Sequence, residues 1–480
     1  MSADPAEVAA EIEAIFHPRS IAVVGASANE NAPGYDYVNS LLAFGYGGEV
    51  YPVNPKAEEI LGLPSFPSLR DVPGPVDYVI SCIPASAVLE LVDDCASVGA
   101  LALQLFTARF SETGREEGAA LERQLAERAR AAGVRIIGPN CMGLLYPRQG
   151  ISFRTDMPRQ PGKIGFLSQS GNLLFELSYF GGPRGFLFSK AISYGNGVDL
   201  NEADFLDYFA ADGESDAVGV YLEGVRDGRR FLAALRRAAA AKPVVVLKGG
   251  RTGAGGRAAA SHTAALAGQR AVWDAAVVQA GALPVDTVEE LIDMLLAFAC
   301  MKPGAGRRLG MVGGGGGRSV LTADLCEELG LSVPPIPEDV ERRIAEKAPD
   351  LAGWLTNPVD QSILAGSGLG GGQVLEWMDE SDGIDLLVAN VGESWALGRP
   401  NAEALLARIP ERFVEIGRRT SKPLAAVVGP ADYSDERLWR LVTGARDALV
   451  AGELAVYPSV ERAVRTLARF TAYWRARGEG

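Results

Sequence analysis

The chain has 480 residues, enough for two to four domains, and 48% of them are apolar, which suits packed cores and not a disordered chain. A net charge of -14 opposes a phosphate backbone, so nucleic acid is excluded as a general partner, while local basic spots stay free to take a small anion. No apolar run reaches the roughly 18–20 residues of a membrane helix, and the acidic N-terminal stretch MSADPAEVAAEIEAIF is no secretion signal.

Five scattered cysteines without a CxxC pair read as reduced thiols, so the expected compartment is the cytoplasm, with no membrane association. Two histidines, His17 and His262, cannot build a His-rich metal centre, and no Cys/His cluster replaces one, so no metal ligands are assigned.

Short β-rich runs alternate with helical patterns along the whole chain, which predicts βαβ units and parallel sheets. The expected fold class is α/β: a Rossmann-like N-terminal domain followed by two flavodoxin-like domains. The first domain, 1–148, carries expected strands at 20–25, 49–53, 77–83, 100–106 and 134–137, with helices between them such as 119–132. The second, 149–303, has expected strands at 163–167, 187–193, 217–222 and 243–248, then helices over 271–279 and 288–299. MKPGAGRR at 301–308 reads as a linker. The third domain, 304–480, opens with a strand at 309–312 and five glycines at 313–317, continues with strands at 384–390 and 423–428, and closes on a helix from 460 to about 475.

Chemistry-bearing motifs sit where these strands end. AVVGASANENAPG follows the first strand: Gly25 allows a close turn and Ser27 caps or donates to phosphate, so the turn either receives an anion or is simply capped. YPVNPK puts Lys56 at the next strand end, where it serves a phosphate-bearing ligand or is a solvated surface lysine. In IGPNCMG, Asn140 can hydrogen-bond a polar ligand chain; Cys141 has no basic partner and reads as packing or pocket lining. In SQSGNL, Ser170, Gly171 and Asn172 begin a helix and suit either phosphoryl binding or capping.

KGGRTGAGGRAAASHTAALAG, 248–268, is too rich in Gly and Ala to build core, and His262 stands among its small residues. Neutral imidazole is a good nucleophile for reversible phosphoryl transfer, and a surface histidine is the plain alternative. Glu223 ends the strand VGVYLE, on the side where open α/β sheets place their sites; it could accept the Nδ1–H of His262, or be an ordinary exposed glutamate.

In series, FHPRSIAVVGAS, YPVNPK, IGPNC, KIGFLSQSGNL, the 250–268 segment and NPVD resemble the α subunit of the NDP-forming acyl-CoA synthetases, the family of succinyl-CoA synthetase and ADP-forming acetate–CoA ligase. The resemblance implies a CoA-binding first domain, a phosphohistidine second domain and a third, ligase-CoA domain. It implies that Gly25, Ala26, Ser27 and Lys56 hold the nucleotide part of CoA, and that Phe106, Thr107, Ala108 and Asn140 lie near its chain. His262 matches the phosphorylated histidine, Glu223 its supporting glutamate, and Ser170, Gly171 and Asn172 the helix N-terminus that stabilises the phosphohistidine. The reaction implied joins a small carboxylate to CoA at the cost of ATP or GTP, through an acyl phosphate.

The chain departs from that pattern in places. FTARFSE replaces a more usual small-residue segment, and Arg109 would alter the pocket. Tyr194 and Phe175 are expected near the acyl site. No ATP-grasp module is seen, and GGGGGRS lacks the lysine of a P-loop. A separate ATP-grasp β subunit carrying nucleotide and Mg2+ is therefore expected, giving a hetero-oligomer. Two other functions compete: a CoA- or acyl-CoA-binding regulator without catalysis, and an acyl or carbamoyl transferase on the same scaffold.

Overall fold

Parallel strands covered by helices on both faces must be apolar throughout, and the run Ser-Ile-Ala-Val-Val at the start of the chain meets that demand. It forms β1 (Ser20–Val24), followed by β2 (Glu49–Val53) and a short ribbon, β3 (Glu59–Ile60) with β4 (Leu63–Pro64). β5 (Tyr78–Ser81), β6 (Ala102–Leu105) and β7 (Arg135–Ile137) complete a parallel sheet in the order β2-β1-β5-β6-β7. The computed structural model describes residues 4–256, 270–430 and 432–478.

The next sheet is built from β8 (Gly143–Leu145), β9 (Ile164–Ser168), β10 (Phe188–Ser193), β11 (Ala217–Leu222), β12 (Val244–Lys248) and β13 (Leu283–Val285). Its order is β13-β12-β11-β9-β10-β8, with β8 the antiparallel edge. The third sheet runs β14 (Leu309–Val312), β15 (Leu386–Asn390), β16 (Leu424–Val427) and β17 (Ala455–Tyr457), all parallel. Single parallel bridges join Arg308 to Ser332 and Val312 to Val359 beside β14.

In the first two sheets the first of the parallel strands lies inside, and the winding reverses beside it. Counting only the parallel strands, both follow the order 2-1-3-4-5, whose ligand crevice opens at the carboxyl ends of the strands where the winding reverses. Those points are β1/β5 in the first sheet and β9/β11 in the second. The α/β class with parallel sheets agrees with the sequence. The edge strands β8, β13 and β17 were not foreseen; each has three residues, too few to show a period.

The chain divides into two compact units. One contains the first two sheets, and the other joins residues 181–186 to the chain from 292 onward. In the first, the N-terminal helix Pro5–Phe16 is capped by Asp4 and packs on the second sheet's side. Lys190 of β10 is 1% exposed and its Nζ donates to Asp212 at 2.8 Å. The faces of Phe16, Tyr146 and Tyr208 surround the same ammonium at 5.9, 5.0 and 5.4 Å. Tyr208 stacks on Phe16 and donates to Glu13 at 2.6 Å. In the other unit, buried Asp293 accepts from Arg462 Nε at 2.7 Å and from Arg184.

Candidate functional site

Gly25 leaves β1 at φ +87°, and a Cβ there would stand 2.9 Å from the Cys82 carbonyl, so only glycine fits this turn. Asn54 Nδ2 donates to the Ala26 carbonyl at 2.7 Å, tying the turn to the end of β2. Ser27 Oγ accepts from the Asn29 amide, and exposed Lys56 donates its backbone N–H to Asn54 Oδ1. Gly25, Ala26, Ser27 and Lys56 are thus gathered at the ends of β1 and β2.

A cavity of about 780 Å³ opens beside them, over the ends of β5, β6, β7 and β9. The loop after β6 contributes Phe106, Thr107, Ala108 and Arg109. Thr107 Oγ1 donates to the Ile83 carbonyl at 2.7 Å, and the Asn140 amide donates to the Thr107 carbonyl at 3.0 Å, which fixes the loops after β5, β6 and β7 against one another. Asn140 holds φ +58°, a conformation asparagine tolerates. Of the eight residues expected around CoA, Phe106, Thr107, Ala108 and Asn140 line the cavity, and the β1–β2 set does not.

The opposite wall is the turn from β9 into the helix Gly171–Gly181, with Gln169, Ser170, Gly171 and Asn172 lining the same cavity. Ser168 Oγ donates to the Ser170 carbonyl at 2.7 Å, and Ser170 Oγ accepts from the Leu173 amide at 3.3 Å. Ser170 therefore caps the helix, whose first N–H groups and dipole favour an anion there.

Glu223 is buried at the end of β11 and accepts from the Tyr221 hydroxyl at 3.2 Å. Gln169 Oε1 accepts from the backbone amides of Glu223 and of Gly224, the latter at 3.0 Å. Lys248 Nζ donates to the Glu223 carbonyl at 2.7 Å. Burial lowers the Lys248 ammonium below the ordinary lysine range, against the raising pull of Glu223. Gln169 links the cavity to Glu223, and sequence reasoning missed it; its place directly before Ser170 was the available signal. His262 lies outside the described residues.

Cys141 lines the cavity, but burial pushes its thiol up to about 12, which leaves it protonated and unreactive at neutral pH. Tyr194 is fully buried against Phe205, and Phe175 lies beneath the Arg154 guanidinium at 4.1 Å; neither lines the cavity. His17 packs edge-on against Tyr146 and accompanies the Lys190 cluster. A second cavity, of about 830 Å³, lies in the other unit over the ends of β14–β17, and Gly314–Arg318 and Asn390 are among its lining. No group of three or more His, Cys, Asp or Glu suited to a metal ion occurs among the described residues, and no described helix is long and apolar enough to cross a membrane.

Comparison with known proteins matches these parts. A family model described as CoA binding domain fits residues 19–147, and one described as succinyl-CoA ligase like flavodoxin domain fits 161–298. The ADP-forming acetate–CoA ligase II subunit alpha of Pyrococcus furiosus is 36% identical over 378 residues, covering 79% of this chain and 82% of its own. The corresponding ligase I subunit alpha of that organism is 32% identical over 476 residues, 97% of this chain and 99% of its own. The chain belongs to the NDP-forming acyl-CoA synthetases. It is an enzyme of the acid–thiol ligase class, with a CoA-binding domain ahead of a succinyl-CoA-ligase-like one. A solved member, the dinucleotide forming acetyl-coenzyme A synthetase 1 of Ca. Korarchaeum cryptofilum in complex with phosphate and ADP, superposes with a TM-score of 0.82 at 32% identity, covering 97% of each chain.

Proposed function

We propose that this chain is the CoA- and phosphate-handling subunit of a reversible carboxylate–CoA ligase, working through an acyl phosphate and a phosphohistidine at His262. The observation that carries the reading is the shared cavity: the loops after β6 and β7 meet the helix N-terminus of Ser170–Asn172 across one space.

In the thioester-breaking direction, phosphate held by Ser170, Gly171 and Asn172 attacks the acyl carbon, and CoA leaves as its thiol after taking a proton. His262 then attacks phosphorus, and the carboxylate departs. The phosphorylated imidazole passes its phosphoryl group to a nucleoside diphosphate, and ligation is the same path reversed. Glu223 serves by accepting Nδ1–H from His262, which leaves Nε2 as the nucleophile and offsets the charge of the phosphorylated ring. Gly25, Ala26, Ser27 and Lys56 receive the nucleotide end of CoA, while Phe106, Thr107, Ala108 and Asn140 line the path of its chain.

Nucleotide and Mg2+ fall to an ATP-grasp subunit, so the working enzyme is a hetero-oligomer. The names of the two Pyrococcus furiosus relatives, each an alpha subunit, support this. The test is phosphorylation of the chain by labelled ATP and magnesium with an ATP-grasp β subunit present. Acid-labile, base-stable label in wild type, absent in His262→Ala, is the expected result. Equal labelling of the two refutes the mechanism, and CoA binding without any labelling favours a regulator.

A further inference from the structure

Arg109 is the one charged side chain among the described residues lining the 780 Å³ cavity. Its residue is exposed, and no described group hydrogen-bonds or ion-pairs with its guanidinium. Its backbone lies at φ +82°, a region that side-chain-bearing residues avoid. The conformation is enforced from several sides. Glu112 Oε1 accepts from the Arg109 and Phe110 amides. Asn196 Nδ2 donates to Glu112 at 2.8 Å and to Glu122 at 2.9 Å, and Arg226 donates to Glu122 at 2.6 Å. Backbone strain held in place by such a network is the arrangement met at ligand sites.

A ligand that fills the cavity strips water from this cation, which is unfavourable unless the ligand supplies an anion. The remaining question is which anion. On the reading of the cavity given above, on which this inference rests, CoA phosphates lie toward β1 and β2. β6 is two strands away from β1, about 10 Å at ordinary strand spacing. The reacting phosphoryl group already has its donors at Ser170–Asn172 on the opposite wall. A monocarboxylic acid commits its only carboxylate to the thioester and brings no further charge.

We propose that Arg109 is a specificity-determining residue that selects acids carrying a second anionic group, the dicarboxylic acids being the simplest class. The guanidinium pairs with the distal carboxylate while the proximal one is activated.

The test compares CoA, butyryl-CoA and succinyl-CoA by calorimetric titration against wild type, Arg109→Gly and Arg109→Lys. The two thioesters have the same chain length and differ in a terminal carboxylate, and binding needs neither nucleotide nor the histidine. Arg109→Gly should fold because its backbone conformation suits glycine. Wild type should prefer succinyl-CoA, the preference should fall about tenfold to hundredfold in Arg109→Gly, and Arg109→Lys should keep part of it. An unchanged preference overturns the proposal while leaving CoA binding intact. So does a loss of free CoA affinity in step with succinyl-CoA, which would assign Arg109 to CoA itself. Failure of wild type to bind CoA removes the reading of the cavity, and this inference with it.

Discussion

Gln169→Ala should loosen the end of β11 without unfolding the protein. One side-chain oxygen accepts from both the Glu223 and the Gly224 amide, and Gln169 is only 8% exposed. Removing it takes that acceptor away from two backbone donors in a largely dry place. At about 1 kcal/mol each, the low end for an unsatisfied buried group because the cavity admits some water, the cost is about 2 kcal/mol. If the strand end opens locally, 2 kcal/mol corresponds to about a thirtyfold faster amide exchange. Hydrogen–deuterium exchange read on peptides spanning 222–225 measures it directly. Gln169→Glu is the control: it keeps an acceptor at the same reach and should retain most of the protection. Unchanged exchange in Gln169→Ala would show that these bonds do not hold Glu223, and the positioning argument would fall.

Three further outcomes follow from other parts of the molecule. Asp293→Ala leaves Arg184 and Arg462 without their shared buried carboxylate, so the urea midpoint of the unit that holds it should drop by the equivalent of about 3 kcal/mol; a shift worth under about 1 kcal/mol contradicts the ion cluster. Cys141, with its thiol raised to about 12 by burial, should resist iodoacetamide at pH 7 and react faster only as the pH climbs toward that value; rapid labelling at pH 7 would contradict the packing. Asp156 is held down at about 2, chiefly by its hydrogen bonds with Arg154, so its contribution is present above pH about 4 and is lost as the pH falls toward 2. The difference in melting temperature between wild type and Asp156→Asn should shrink across that window, and a difference that grows on acidification would reverse the assigned sign.

Much of the fold was legible because buried parallel strands must be continuous apolar runs, as in Val244–Lys248 and Leu386–Asn390. The helix starts were legible from capping chemistry at Ser170. What one sequence hid was tertiary. Gln169 looks unremarkable beside Ser170, because its partners are backbone amides more than fifty residues away across two strands. Tyr194 looked like a pocket wall but is covered by the helix Glu202–Ala211, whose Phe205 packs on it. Phe175 looked similar and instead lies under the Arg154 guanidinium, and it is not among the residues lining the cavity. That Phe106–Ala108 and Ser170–Asn172 face one space followed from neither motif alone. It follows from two sheets that each send their loops out at the carboxyl ends.

The Lys190 cage also bears on how the chain comes to be made. Phe16 and Glu13 are synthesised well ahead of the second sheet, and the cation they enclose arrives about 170 residues later. At a synthesis rate of about 5–20 residues per second, that leaves an amphipathic helix waiting roughly ten to thirty seconds with its apolar side uncovered. A nascent chain released before β10 would therefore present that side to chaperones or to other chains. The order of synthesis, and not only the final packing, makes the N-terminal helix a checkpoint on completion of the second sheet.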